Sequence, residues 1–281
     1  MFTQTNGGGA GAAPIDMEGL ELPSFPQITM TALEKARDID TSLNDLGDVL
    51  AKDPGLSVKI MKTVNSAAFG RRQRVRNIHH AVSLMGRNEI ESMLIATAVQ
   101  GALPSTDAQG FDAPRFWSTA AKRATTARAL AERIEPSLAS ESFTAALLQD
   151  MAIPLLLEQR GGLYAEVVEA WHDGDMDLAQ LERMSFDWDH ALVGALMGER
   201  WQFPEALTHA VGSHHGTDAG QYRPLPAVAL VSAIREVNEP LGMDRLIAEA
   251  HSAYGIPTDD TKALLEKSYE DAAEIAELFG S

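Results

Sequence analysis

Apolar residues return at helical spacing along most of this chain, and no segment alternates with a period of two. That single feature excludes most folds, because a half-buried strand needs strict alternation while an amphipathic helix needs apolar positions three and four apart. In LNDLGDVLAK, Leu43, Leu46, Val49 and Leu50 share one face, with Thr41-Ser42 placed to cap the start. Asp53-Pro54 restarts a helix with a capping carboxylate and a proline at the first turn, and Leu56, Ile60, Met61 and Val64 form its apolar stripe. The spacing predicts an all-α chain of twelve or thirteen helices joined by short turns.

Punctuation divides the chain further. The opening residues, 1–19, are rich in Gly and Ala, lack an apolar period and read as a flexible tail with no secretory leader. Residues 20–103 form an N-terminal helical lobe, and the polar, Gly- and Pro-marked stretch around 104–114 separates it from a second lobe over 112–279. Gly86 is expected to close a short helix before another begins at 88, Asp187 to cap the helix in WDHALVGALMGERW, and one helix to run over 225–237. No apolar run is long enough to cross a membrane, which points to a cytoplasmic protein. The absence of cysteine excludes disulfides and thiolate metal sites.

Charge is uneven. The chain carries −17 overall, which disfavours nucleic acid as a partner. Yet residues 52–90 hold eight bases against Asp53 and Glu89, a local surplus of six positive charges. Arg71, Arg72, Arg74 and Arg76 supply half of those bases and are candidates for gripping phosphates or an acidic partner. The plainer reading is a solvated turn whose charges answer the acidic remainder of the chain. Asn65-Ser66 is read as a helix cap rather than as chemistry.

Two stretches carry a family resemblance. Leu22-Pro23, Asp53-Pro54 with Leu56, Asn65-Ser66-Ala67 with Phe69-Gly70, and Ile78 with Ala81 and Met85-Gly86 stand in the order and spacing of HDOD-family motifs. Phe116-Trp117, AALLQDMA, FDWDHALVGALMGERW and SHHG are similar to the metal-site helices of an HD phosphohydrolase. The resemblance, covering about 20 to 240, implies a multi-helical HD-domain-like bundle with an N-terminal helical lobe. It also implies where a hydrolytic metal site would stand, since HD enzymes use a His, a His-Asp pair and a late Asp to activate water. Thr119 occupies the first position, Gln149-Asp150 the pair, and the segment after Pro224 has no Asp, only Glu236 and Glu239.

Asp150, His190 and the adjacent His214 and His215 are left, and Asp150, His190 and His214 are the set that would hold an ion if one bound. The alternative is that these histidines are interior groups hydrogen-bonded to neighbours such as Asp150. With three ligand positions lost, the expectation is a vestigial pocket of Thr119, Gln149, Asp150, His190, His214 and His215, with no metal, no cofactor and no catalysis. The resemblance then implies a regulatory or output module of bacterial signalling, working with signalling proteins in trans or sensing a small nucleotide. A metal-dependent phosphohydrolase with a reduced ligand set is the competing reading.

Overall fold

A computed structural model describes residues 20–69, 74–104, 111–216 and 224–280. Among them every regular element is helical. The N-terminal lobe holds α1 (Gln27–Arg37), α2 (Leu43–Ala51), α3 (Pro54–Asn65), a 3-10 turn (Ala67–Phe69) and α4 (Ile78–Ala102). The C-terminal lobe holds α5 (Ala113–Ile134), a 3-10 turn (Pro136–Leu138), α6 (Ala139–Leu148), α7 (Ala152–Asp173), α8 (Leu178–Phe186), α9 (His190–Arg200), α10 (Glu205–Gly212), α11 (Pro226–Val231), α12 (Glu239–Tyr254) and α13 (Thr258–Phe279). The expected starts at Ser42 and Asp53 are present: Ser42 and Asp45 form a reciprocal capping box, and the Asp53 carboxylate accepts from Leu56 N at 2.9 Å.

One hydrophobic core runs through both lobes. In the first lobe α1, α2 and α3 pack on α4; in the second α5 is central, flanked by α6, α11 and α13. Alanines at 120, 121, 124, 127 and 131 explain why α5 can sit there, since small side chains let neighbouring helices approach closely. The lobes meet where α4 lies on α6 and where α13 reaches α3. Phe69 stands edge-on to Phe143 at 5.2 Å across this junction, with the Arg128 guanidinium 4.3 Å from its ring centre.

Two helix boundaries differ from expectation, each for a local reason, and one is met. Gly86 closes one helix and the next follows directly: its φ of 76° and ψ of 174° are non-helical, so α4 is two helices joined across a kink. The kink presents Arg87 to the backbone carbonyls of Lys35, Ala36, Asp38 and Thr41, so the helix break organises the α1–α2 connection. The cap of α9 is Asp189, which accepts from Leu192 N at 2.9 Å, whereas Asp187 ends α8 in the left-handed region. The helix expected over 225–237 stops at Val231.

That early stop matters most. Residues 232–238 leave the helix, so the Ile234 carbonyl is free to accept from another element and Arg235 turns back to the carbonyls of Trp171 and Gly174 at the end of α7. Gly242 of α12 holds this segment in place. A Cβ there would stand 2.0 Å from the Ala233 carbonyl oxygen, an impossible approach. Gly242→Ala should therefore lower stability by about 1–3 kcal/mol, measured by urea denaturation, because backbone rather than a flexible side chain must yield.

Candidate functional site

Three elements deliver polar side chains to one buried point. The turn between α6 and α7 supplies Gln149 and Asp150, the first residue of α9 is His190, and the turn after α10 supplies His214 and His215. Asp150, His190 and His214 are almost fully buried, and His215 is half-buried. Their inner atoms are mutually close. His190 Nε2 lies 3.2 Å from His214 Nε2 and 3.0 Å from His215 Nε2, and Asp150 Oδ1 lies 3.4 Å from Nε2 of both His190 and His214.

The outer ring nitrogens settle the tautomers. His214 Nδ1 is 2.6 Å from the Val211 carbonyl, which can only accept, so this nitrogen carries the hydrogen. His190 Nδ1 donates to Glu182 Oε2 at 2.6 Å, and His215 Nδ1 faces Asp177 Oδ1 at 3.4 Å. Each inner Nε2 of a neutral ring is then a lone pair. Three lone pairs and a carboxylate oxygen repel one another unless a positive species sits among them. A proton on one ring is one solution. A metal ion is the other, because ligand atoms of a tetrahedral site at about 2.0–2.1 Å from zinc are about 3.3–3.4 Å apart. The donor set fits such an ion, with carboxylate and carbonyl partners on the outer nitrogens as metal-bound histidines have. Among the described residues the group that could hold an ion is His190, His214 and His215, so His215 takes the place that the sequence gave to Asp150.

Electrostatics favour the proton when no ion is bound. Burial pushes His190 down, but the Glu182 and Asp150 carboxylates more than offset it and hold the ring's value well above the ordinary histidine range. Burial, reinforced by His214 and His190, pushes His215 well below. Burial also raises Asp150, yet the Arg123 guanidinium and hydrogen bonds with His190 and His214 win, and its carboxyl lies well below the usual range.

Two further residues, Arg123 and Glu182, complete the centre. Arg123 is on α5, one turn beyond Thr119 and on the same side of the helix, and it is 4% exposed. It pairs with Asp150 Oδ2 and donates to the Ile234 carbonyl through Nε at 3.0 Å and Nη2 at 2.6 Å. It therefore joins the pair position to the segment where a late Asp would have stood. Thr119 is buried a turn away, and Gln149 Nε2 reaches Asp150 Oδ1 at 3.5 Å. Glu182, fully buried on α8, accepts from Tyr164 OH at 2.5 Å and from both the ring and backbone N–H of His190. Glu236 stands within electrostatic range of Arg123 and Asp150, and burial raises its carboxyl to about 7.

Arg74 and Arg76 do not approach this centre; they line a groove between α3 and α13. Arg71 and Arg72 lie outside the described residues.

This arrangement sits on a recognisable frame: residues 22–217 match the HDOD domain family. The chain belongs to the HDOD family. A crystal structure from Shewanella amazonensis SB2B, whose description as a phosphohydrolase is provisional, superposes with a TM-score of 0.71 at 25% identity, covering 96% of this chain and all of that one. An HDOD domain protein of unknown function from Geobacter sulfurreducens shares the fold with a TM-score of 0.68 at 23% identity, covering 93% of this chain and 95% of that chain. A Treponema pallidum (strain Nichols) protein described as uncharacterized is 25% identical over 210 residues. That match takes in 73% of this HDOD chain and only 40% of the length of the relative. No helix among the described residues is long and apolar enough to cross a membrane.

Two outcomes follow from the buried charges. Arg123→Ala leaves Asp150 unpaired in the interior and should cost about 3–5 kcal/mol, read from urea denaturation. In EDTA, the raised value of His190 adds stability that is fully present below the unfolded histidine value of about 6.5 and is lost as pH rises through the folded value. Melting temperature should fall as pH rises above about 6.5, and His190→Gln should flatten the fall.

Proposed function

We propose that this chain is a non-catalytic signalling module in which the buried His–Asp centre ties helices together and output passes through contacts with signalling proteins in trans. The observation that carries this reading is Arg123. A fixed guanidinium bridges Asp150 and the Ile234 carbonyl, so positive charge is already supplied between two positions an HD enzyme devotes to metal. An arginine cannot lower the pKa of a water by coordinating it, and it stays charged at any physiological pH. Thr119 and Gln149 also offer only neutral oxygens where an HD enzyme has imidazoles, which weighs against a two-ion site.

A single ion held by His190, His214 and His215, with Asp150 Oδ1 beside two of them, fits this module. Bound there, the ion would supply a tie between the α6–α7 turn, the start of α9 and the turn after α10. The chain's own residues set it up: Glu182 orients His190, the Val211 carbonyl orients His214, and Arg123 keeps Asp150 ionised.

The second reading, a phosphohydrolase with a reduced ligand set, is favoured by Glu236. A carboxyl near 7 beside Asp150 is suited to proton transfer at neutral pH. The provisional description of the Shewanella protein points the same way.

Elemental analysis and turnover separate the two. Purified protein reconstituted with Zn, Mn or Fe should hold no more than one ion per chain, and His190→Ala should hold none. The same samples should show no hydrolysis of bis(p-nitrophenyl) phosphate or cyclic dinucleotides above a metal-only control. Turnover that disappears in Asp150→Ala and in Glu236→Gln would establish the hydrolase instead.

A further inference from the structure

The Asn65 side chain does more than close α3. Its amide nitrogen donates to the Met61 carbonyl at 2.8 Å and to the Val75 carbonyl at 2.9 Å, and its oxygen accepts from Val75 N at 2.7 Å. One side chain thus pins the backbone of Val75 as a neighbouring strand would. Val75 points inward and is 1% exposed. Arg74 and Arg76, on either side of Val75, are both exposed, and with Lys62 of α3 they form one wall of a groove of about 690 Å³.

None of the three cations makes an ion pair among the described residues. In a chain with a charge of −17, such unpaired bases on a pinned backbone are unusual. The opposite wall is α13, which presents Glu274 and Glu277 three residues apart on one face. Glu274 accepts from Ala67 N at 3.1 Å, while Glu277 has no partner among the described residues. Val58, Met61 and Leu278 give the groove apolar surface between the walls.

A single inorganic anion would use only one wall. The groove lies within the range of about 300–1,000 Å³ typical of small-ligand sites. It is also polarised: donors for phosphate on one side, apolar surface in the middle, carboxylate acceptors on the other. We propose that it binds a nucleotide, with the phosphates on Arg74, Arg76 and Lys62 and the base edge donating N–H groups to Glu277. Guanine suits the carboxylate best, because its N1–H and N2–H groups are adjacent donors that one carboxylate accepts together. The groove joins α3 of the first lobe to α13 of the second, so an occupant bridges the lobes. This site is separate from the buried His–Asp centre and does not depend on whether that centre holds an ion.

Isothermal titration calorimetry on the full chain, with GTP, ATP and pyrophosphate as probes, tests it. GTP should bind saturably, more tightly than ATP or pyrophosphate, and weaken as salt rises. The exposed pair Arg74→Ala/Arg76→Ala should fold with an unchanged melting temperature and lose at least tenfold in GTP affinity. Glu277→Gln should erase the preference for GTP over pyrophosphate while pyrophosphate binding persists. No saturable binding of any probe, or GTP affinity unchanged in the double variant, overturns the site. GTP binding that survives the arginine changes but vanishes in His190→Ala places the nucleotide in the buried centre and also overturns it. A Glu277→Gln protein that keeps its GTP preference overturns the assigned orientation.

Discussion

The buried pair between Arg123 and Asp150 is the contact on which the second lobe's interior depends. Both side chains are nearly solvent-free, so each would be costly to bury alone, and their mutual attraction offsets much of that cost only because the remaining hydrogen-bonding capacity is also met. Arg123 meets it through the Ile234 carbonyl, and Asp150 through His190 and His214. The consequences spread outward. Ile234 must leave the helix to offer its carbonyl, α11 must be short, and Gly242 must bring α12 against that segment without a side chain between them.

The histidine cluster shows how a polar centre can be over-determined. Glu182, Val211 and Asp177 each face an outer ring nitrogen, which aligns three inner lone pairs on one small volume. Without a cation, His190 retains a proton there and the network is satisfied as a charged imidazolium between two carboxylates. An ion of suitable size replaces that proton with little rearrangement, so proton and metal compete for one place. The same cluster therefore fits an inert core, an ion-tied core or the remnant of a hydrolytic site.

Much of this was legible in residue order. The helices followed from apolar spacing, and Ser42 and Asp53 announced their own starts. Asp150 was identifiable from its place in the pair position of the HD resemblance, and His190, His214 and His215 from segments similar to its metal-site helices. Arg123 was not, since an arginine in an Ala- and Thr-rich helix reads as a solvated charge. The available signal was its place one turn after Thr119. Glu182 gave even less, being one acid among many on a short amphipathic helix. Asn65 was read as a cap, which it is, but its grip on Val75 joins residues ten apart and has no local signature.

Chain order alone determined the helical class and the family, because these rest on local spacing and residue type. Tertiary structure decided which charges turn inward. Arg123, Asp150, Glu182, His190, His214 and Ile234 are scattered over more than a hundred residues, and each is acceptable in the interior only because the others are there. A buried charge is unfavourable by itself and favourable in company, and that company is set by packing rather than by sequence neighbours.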